Sequence, residues 1–190
     1  MRLIALLATL LLAAPVAAQN LLINPDFDLD PTVPANGWST TGTGALVWDQ
    51  SIGDPGPPSA RTTQSDTESM ILFQCVPIVG GASYDFSARS YTYTSIGPAT
   101  NSVSLSVFAT TDCSGVAIEN IETNQQSFPN FSFRERVGYV APVTAQSGRI
   151  ELLSDANGEI NDIAWDNVMV VGPPVPVAAG TWGAIKALYQ

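Results

Sequence analysis

The 190-residue chain sets 17 acids against 7 bases and has no histidine, for a formal net charge of −10 at pH 7. Recognition of a phosphate backbone needs a basic stripe, so nucleic acid is excluded as a partner, and anionic membrane surfaces and anionic polysaccharides are disfavoured. Without histidine there is no Ser-His-Asp triad and no zinc or copper site of the usual kinds, so the expected partner is neutral or at most cationic.

Arg2 precedes an apolar run from Leu3 to Ala14, and Val16-Ala17-Ala18 supplies small residues before Gln19. This is the pattern of a secretory signal peptide. The run is shorter than the about 20 residues of a membrane span. Residues 1–18 are therefore expected to be removed, leaving a secreted mature chain in the periplasm or outside the cell, with retention at the cell surface as a further option. The segment contains Arg2 and no acid, so its loss takes the charge from −10 to −11. In an oxidising compartment Cys75 and Cys113, the two cysteines of the chain, are expected to pair.

Turn formers punctuate the mature chain. Residues 24–44 carry Pro25, Pro31, Pro34, Gly37, Gly42 and Gly44, and residues 53–58 read Gly-Asp-Pro-Gly-Pro-Pro, so both read as internal loops. Strands are expected at 44–49, 69–79, 83–93, 102–109, 131–140, 147–154 and 160–171. In the third, Tyr84, Phe86, Ala88, Ser90 and Thr92 share one side, opposite Asp85, Ser87, Arg89, Tyr91 and Tyr93. In the fourth, Val103, Leu105 and Val107 oppose Ser104, Ser106 and Phe108. Such alternation marks half-buried antiparallel strands, and many short strands between Gly/Pro/Asn turns predict an all-β, two-sheet antiparallel sandwich. One domain over 19–172 suffices. A Pro-rich linker and tail occupy 173–190, where Trp182, Ile185, Leu188 and Tyr189 have the spacing of a short amphipathic helix.

Catalysis of glycoside hydrolysis needs two carboxylates facing each other across the bond. Glu119 and Glu122 do not share strand parity, Glu151 stands alone in Arg149-Ile150-Glu151-Leu152, and of Glu159, Asp162 and Asp166 only the last two share parity. The sequence therefore reads as a binding protein and not as an enzyme.

Several strings point to one family together. Asn20-Leu21-Leu22-Ile23-Asn24-Pro25-Asp26-Phe27-Asp28 opens the mature chain, with Gly37-Trp38 after it. Gln74-Cys75-Val76-Pro77 and Gly81 to Ala88 come next, then Cys113-Ser114-Gly115, and Ala164-Trp165-Asp166-Asn167-Val168 closes the series. In order and spacing these resemble the CenC-type carbohydrate-binding modules, a galactose-binding-like jelly roll. The resemblance implies a jelly-roll sandwich, core positions for Trp38 and Trp165, and a structural calcium ion on Asp28 and Asp166. It leaves Trp48 unassigned.

On this frame the expected ligand is a neutral polysaccharide or glycan. The outward side of the 83–93 strand offers Tyr91 and Tyr93 as stacking rings at two-residue spacing. Arg89 would be a polar clamp there, with Asp85 and Gln74 as neighbours. The alternatives are a structural or adhesive extracellular domain without a sugar ligand and, third, a jelly-roll glycosidase or lyase.

Overall fold

The computed structural model describes residues 18–95, 100–123, 132–156 and 158–173. The expected signal segment, apart from Ala18, and the expected tail helix fall on residues outside these. The alternating residues form extended strands, with Tyr84, Phe86 and Ala88 in the core and Val103, Leu105 and Val107 likewise. The 100–108 strand is not half-buried as expected, because Ser104, Ser106 and Phe108 on its other side are buried too.

Eleven strands are present among the described residues: β1 (Gln19–Asn20), β2 (Ser39–Gly42), β3 (Ala45–Asp49), β4 (Ser59–Asp66), β5 (Ser69–Pro77) and β6 (Ser83–Ser95). They continue with β7 (Thr100–Phe108), β8 (Glu119–Glu122), β9 (Ser132–Val140), β10 (Ser147–Asp155) and β11 (Glu159–Gly172). A six-stranded sheet runs β3-β4-β11-β6-β9, with β1 on the far end of β11, and a five-stranded sheet runs β2-β5-β10-β7-β8. Every pairing is antiparallel. The two sheets form the predicted sandwich, and Phe27, Trp38, Leu72, Tyr84, Leu105, Ile150, Leu152, Ile163 and Trp165 are buried between them.

Four strands lie where none was expected: β1, β2, β4 and β8. β4 reads Ser-Ala-Arg-Thr-Thr-Gln-Ser-Asp, and its inward residues are Ala60, Thr62 and Gln64. No apolar period marks it, because the Thr62 hydroxyl is satisfied inside the sandwich by Ser154 Oγ at 2.7 Å. β2 falls inside the stretch read as a loop. Its four residues are all exposed, and pairing with β5 holds it.

The Cys75–Cys113 disulfide is present, with Cα atoms 6.0 Å apart, and ties β5 to the loop after β7. It closes a 38-residue separation, which restricts the unfolded chain by roughly 4 kcal/mol on the chain-entropy estimate. Replacing both cysteines by serine is expected to lower the urea midpoint by a loss approaching that size, and to raise the m-value as the unfolded ensemble expands. Urea denaturation of the two proteins measures both. An unchanged midpoint would show that the crosslink restricts nothing the reduced chain explores.

Candidate functional site

Three clusters of polar and aromatic side chains lie outside the core. The first is the outer side of the six-stranded sheet, where Arg89, Tyr91 and Tyr93 project as the strand period requires. The β6–β11 register pairs Ile163 with Thr92 and then Asp162 with Thr94, so Tyr93 is the extra residue of a bulge. The Tyr91 and Tyr93 rings meet edge to face with centroids 5.0 Å apart, and do not lie side by side as two platforms. The Arg61 guanidinium sits 4.1 Å from the Tyr93 ring centroid and covers it. Arg61 Nε donates to Asp162 Oδ1 at 2.6 Å, and Nη2 pairs with the other oxygen.

Tyr93 Oη donates to Asp49 Oδ2 at 2.8 Å. Burial works to raise the Asp49 carboxyl, but bonds from Ser51 and Tyr93 and the nearby Arg61 charge outweigh it and bring it down to about 2. Burial and the Asp49 carboxylate push the Tyr93 hydroxyl up to about 12. Arg89 is paired with Asp54 and lies 5.6 Å from the Phe133 ring centroid. Neither expected neighbour of Arg89 bonds to it. Asp85 accepts from the Gly138 amide, and Gln74 is buried on the other sheet, holding both backbone groups of Ile23. Trp48 Nε1 donates to the Phe27 carbonyl at 2.8 Å, which makes this ring part of the N-terminal packing.

The second cluster is a cleft lined by Asp26, Asp28, Asp54, Asp166 and Asn167. A second bulge, where β11 passes from Asp166 to Met169 against β6, puts Asn167 at φ 49° and aims Asp166 into it. Asp166 Oδ2 accepts from the Asp54 amide at 2.6 Å and Oδ1 from its neighbour Asn167 at 2.7 Å. Burial, aided by the charges of Asp26 and Asp54, nevertheless raises its carboxyl to about 6. Asp26 is also raised, by partial loss of hydration and then by Asp28. The donors are the hard oxygens that calcium takes, and their charges lack full compensation, so the chemistry fits such an ion. As arranged, no three acidic, histidine or cysteine side chains among the described residues form a ready metal-holding group. Asp28 and Asp166 share the cleft, and Asp54 joins them, which sequence reasoning missed.

The third cluster was not anticipated. It lies on the outer side of the five-stranded sheet, where the register sets Phe73, Glu151, Ser104 and Glu122 in one row and Cys75, Arg149, Ser106 and Asn120 in the next. Arg149 Nε donates to Glu151 Oε1 at 2.6 Å. Ser104 and Ser106 hydroxyls donate to Glu151 Oε2 at 3.1 and 3.3 Å, and Asn120 Nδ2 donates to Ser106 Oγ at 2.7 Å. The Arg149 guanidinium stands between two rings, 5.3 Å from the Phe73 centroid and 5.5 Å from that of Phe108. It is too far from either to cap it as Arg61 caps Tyr93. The spacing of Arg149 and Glu151, two residues apart on one strand, was the available signal.

No protein-family model and no curated protein matches the chain. Solved structures do. The enzymatically active domain of bacteriophage CBA120 tailspike protein 4 aligns with a TM-score of 0.61 at 16% identity, over 80% of this chain and 21% of that one. This chain thus spans about a fifth of that protein. The CBM22-1 xylan-binding domain of Paenibacillus barcinonensis Xyn10C aligns at 0.59 and 14% identity, over 85% of this chain and 99% of the other. TmCBM61 in complex with beta-1,4-galactotriose aligns at 0.55 and 16%, over 80% and 97%. The fold is the β-sandwich jelly roll found in carbohydrate-binding modules.

The folded Asp166 carboxyl holds its proton more tightly than the unfolded one, whose ordinary value is 3.8. Its contribution therefore favours the fold at low pH and is lost as pH rises from about 4 towards about 6. In chelator, the stability of the parent relative to Asp166→Asn is expected to fall across this window, by on the order of 3 kcal/mol. Urea denaturation at a series of pH values measures the difference, and a flat difference would mean that Asp166 titrates normally.

Proposed function

We propose that the chain is a secreted, non-catalytic module that binds a neutral polysaccharide or glycan on the outer face of its five-stranded sheet. The observation that carries the reading is the Arg149–Glu151 pair set between Phe73 and Phe108 and extended by Ser104, Ser106 and Asn120. Sugar rings offer C–H faces to aromatic side chains, and their hydroxyls need forked and planar hydrogen-bond partners. This face offers both, the part-exposed Phe73 ring and the Arg149 and Asn120 side chains, while the buried Phe108 backs the guanidinium. The carbohydrate-binding modules among the structural neighbours support the class, and the opening and closing strings of the chain favour the CenC type within it.

Three of the acids weighed for catalysis are held by other groups. Asp162 is paired with Arg61, Glu151 with Arg149, and Glu119 accepts from Tyr139 Oη at 3.1 Å. That supports binding over hydrolysis. A second reading puts the sugar on the six-stranded sheet at Arg89, Tyr91 and Tyr93. It is favoured by Phe133, which is 48% exposed and extends the aromatic row beyond Arg89.

Affinity electrophoresis in gels containing galactan, xylan or mixed-linkage β-glucan separates these readings. Phe73→Ala and Asn120→Ala are each expected to weaken retention about tenfold, roughly 1.4 kcal/mol, with little change in melting temperature. The Tyr91→Ala/Tyr93→Ala double variant is expected to be retained like the parent. The reverse pattern would transfer the site to the six-stranded sheet. No retention by any glycan would return the chain to the structural or adhesive class.

We also propose a calcium ion on Asp28 and Asp166 that serves stability. A ligand that binds the native state alone raises the melting temperature as its concentration passes its dissociation constant. Calcium is therefore expected to raise the parent's melting temperature above its value in chelator, and Asp166→Asn is expected to abolish the increment. Identical curves for the parent in both buffers would remove the ion from the proposal.

A further inference from the structure

We infer that Glu151 is the specificity-determining residue of the five-stranded face, and that its role is to make the face refuse anionic sugars. The inference rests on the glycan reading of that face and names the ligand class it accepts. A guanidinium between two rings is, taken alone, a receptor for a uronate or sulfate group, because its forked donors match such an anion. Here Glu151 takes that place. One of its oxygens receives Arg149 Nε at 2.6 Å and Arg149 Nη2 at 2.5 Å. The other receives the Ser104 and Ser106 hydroxyls, and Ser106 is itself fixed by Asn120.

The carboxylate is thus held by up to four donors and is 8% exposed, while 35% of the Arg149 side chain remains accessible. It is fixed in place and neutralises the guanidinium where a ligand would meet it. An incoming uronate would face an occupied guanidinium and the Glu151 carboxylate beside it. Such juxtaposition works against binding and is a common source of specificity. A neutral pyranose meets no such penalty and can bond to the accessible part of the Arg149 guanidinium and to the exposed Asn120.

Replacing the carboxylate by its amide removes the internal anion, keeps the shape and leaves Arg149 available. The experiment compares retention of the parent, Glu151→Gln, Glu151→Asp and the Arg149→Gln/Glu151→Gln double variant in gels of xylan, galactan and polygalacturonate. Low and high salt are run in parallel, and melting curves control for folding. The parent is expected to be retarded by a neutral gel and to pass polygalacturonate freely. Glu151→Gln is expected to gain at least about tenfold in retention on polygalacturonate at low salt, lose it at high salt, and lose it again in the double variant. Glu151→Asp keeps the charge and is expected to keep refusing the polyuronate. Where Glu151→Gln does not fold, Glu151→Ser takes its place, its hydroxyl fitting beside Ser104 and Ser106.

No gain on removing the carboxylate overturns the inference, and so does a parent that binds polygalacturonate as well as it binds neutral glycans. A gain that persists in the double variant also overturns it, because Arg149 would not be the group released. A parent retained by no glycan, with a variant that gains polyuronate binding through Arg149, defeats the proposed function but leaves the role of Glu151 standing.

Discussion

A tryptophan with no exposure, in the middle of an apolar sandwich, has to find an acceptor for its indole N–H. Trp165 of β11 finds it across the core: Nε1 donates to Ser154 Oγ of β10 at 3.0 Å, and that oxygen lies 2.7 Å from Thr62 Oγ1 of β4. This polar thread joins the two sheets. It requires Ser154 to point inward, and the strand period then sends Ile150 and Leu152 inward as well, and Arg149 and Glu151 outward. A slip of β10 by one residue would orphan the indole, expose two core residues and bury an ion pair. The outer face of the five-stranded sheet therefore inherits its register from a bond in the core.

Both sheets carry an arginine–carboxylate pair beside aromatic rings on their outer side, yet the two are not equivalent. On the six-stranded sheet the bulge at Tyr93 turns its ring edge to face with Tyr91, and Arg61 fills the ring's open side while bound to Asp162 and near Asp49. The groups there complete one another. On the five-stranded sheet β10 pairs without a shift with both neighbours over its whole length. Phe73 and Phe108 flank the central pair, and the buried Ser104 and Ser106 of β7 bond to Glu151. A regular stretch of sheet suits a chain of repeating rings better than a kinked one.

The fold was legible wherever the core is apolar. Alternation placed β6 and β7 with the correct faces, and Trp38 and Trp165 lie in the core as the family resemblance implied. β4 was illegible because its inward positions are alanine, threonine and glutamine, and the Thr62 hydroxyl is satisfied by a hydrogen bond with Ser154, a residue 92 positions away. β2 was illegible because it buries nothing. At the site, parity correctly set Arg89, Tyr91 and Tyr93 on one side of β6, but no periodicity reports the bulge that turns one tyrosine against the other. Glu151 was weighed as a lone acid although Arg149 stands two residues away on the same face. Phe73 sits in the unbroken run Met70-Ile71-Leu72-Phe73, where period two has nothing to alternate with. Its face is settled by the Leu72 and Gln74 side chains turning inward.

The acidic cleft and the six-stranded face are joined by a single residue. The Asp54 amide donates to Asp166, its carbonyl accepts from the Asn167 side chain, and its carboxylate pairs with Arg89. Any cation drawn in by Asp28 and Asp166 would compete with Arg89 for Asp54, and would also relieve the charge that now raises the Asp166 carboxyl. Its effects would be felt in stability and in the position of Arg89. The Arg149–Glu151 face lies beyond the core, about 10 Å of packed side chains away, and among the described residues shares no hydrogen-bonded group with the cleft. The ion and the sugar proposed above would therefore be held independently.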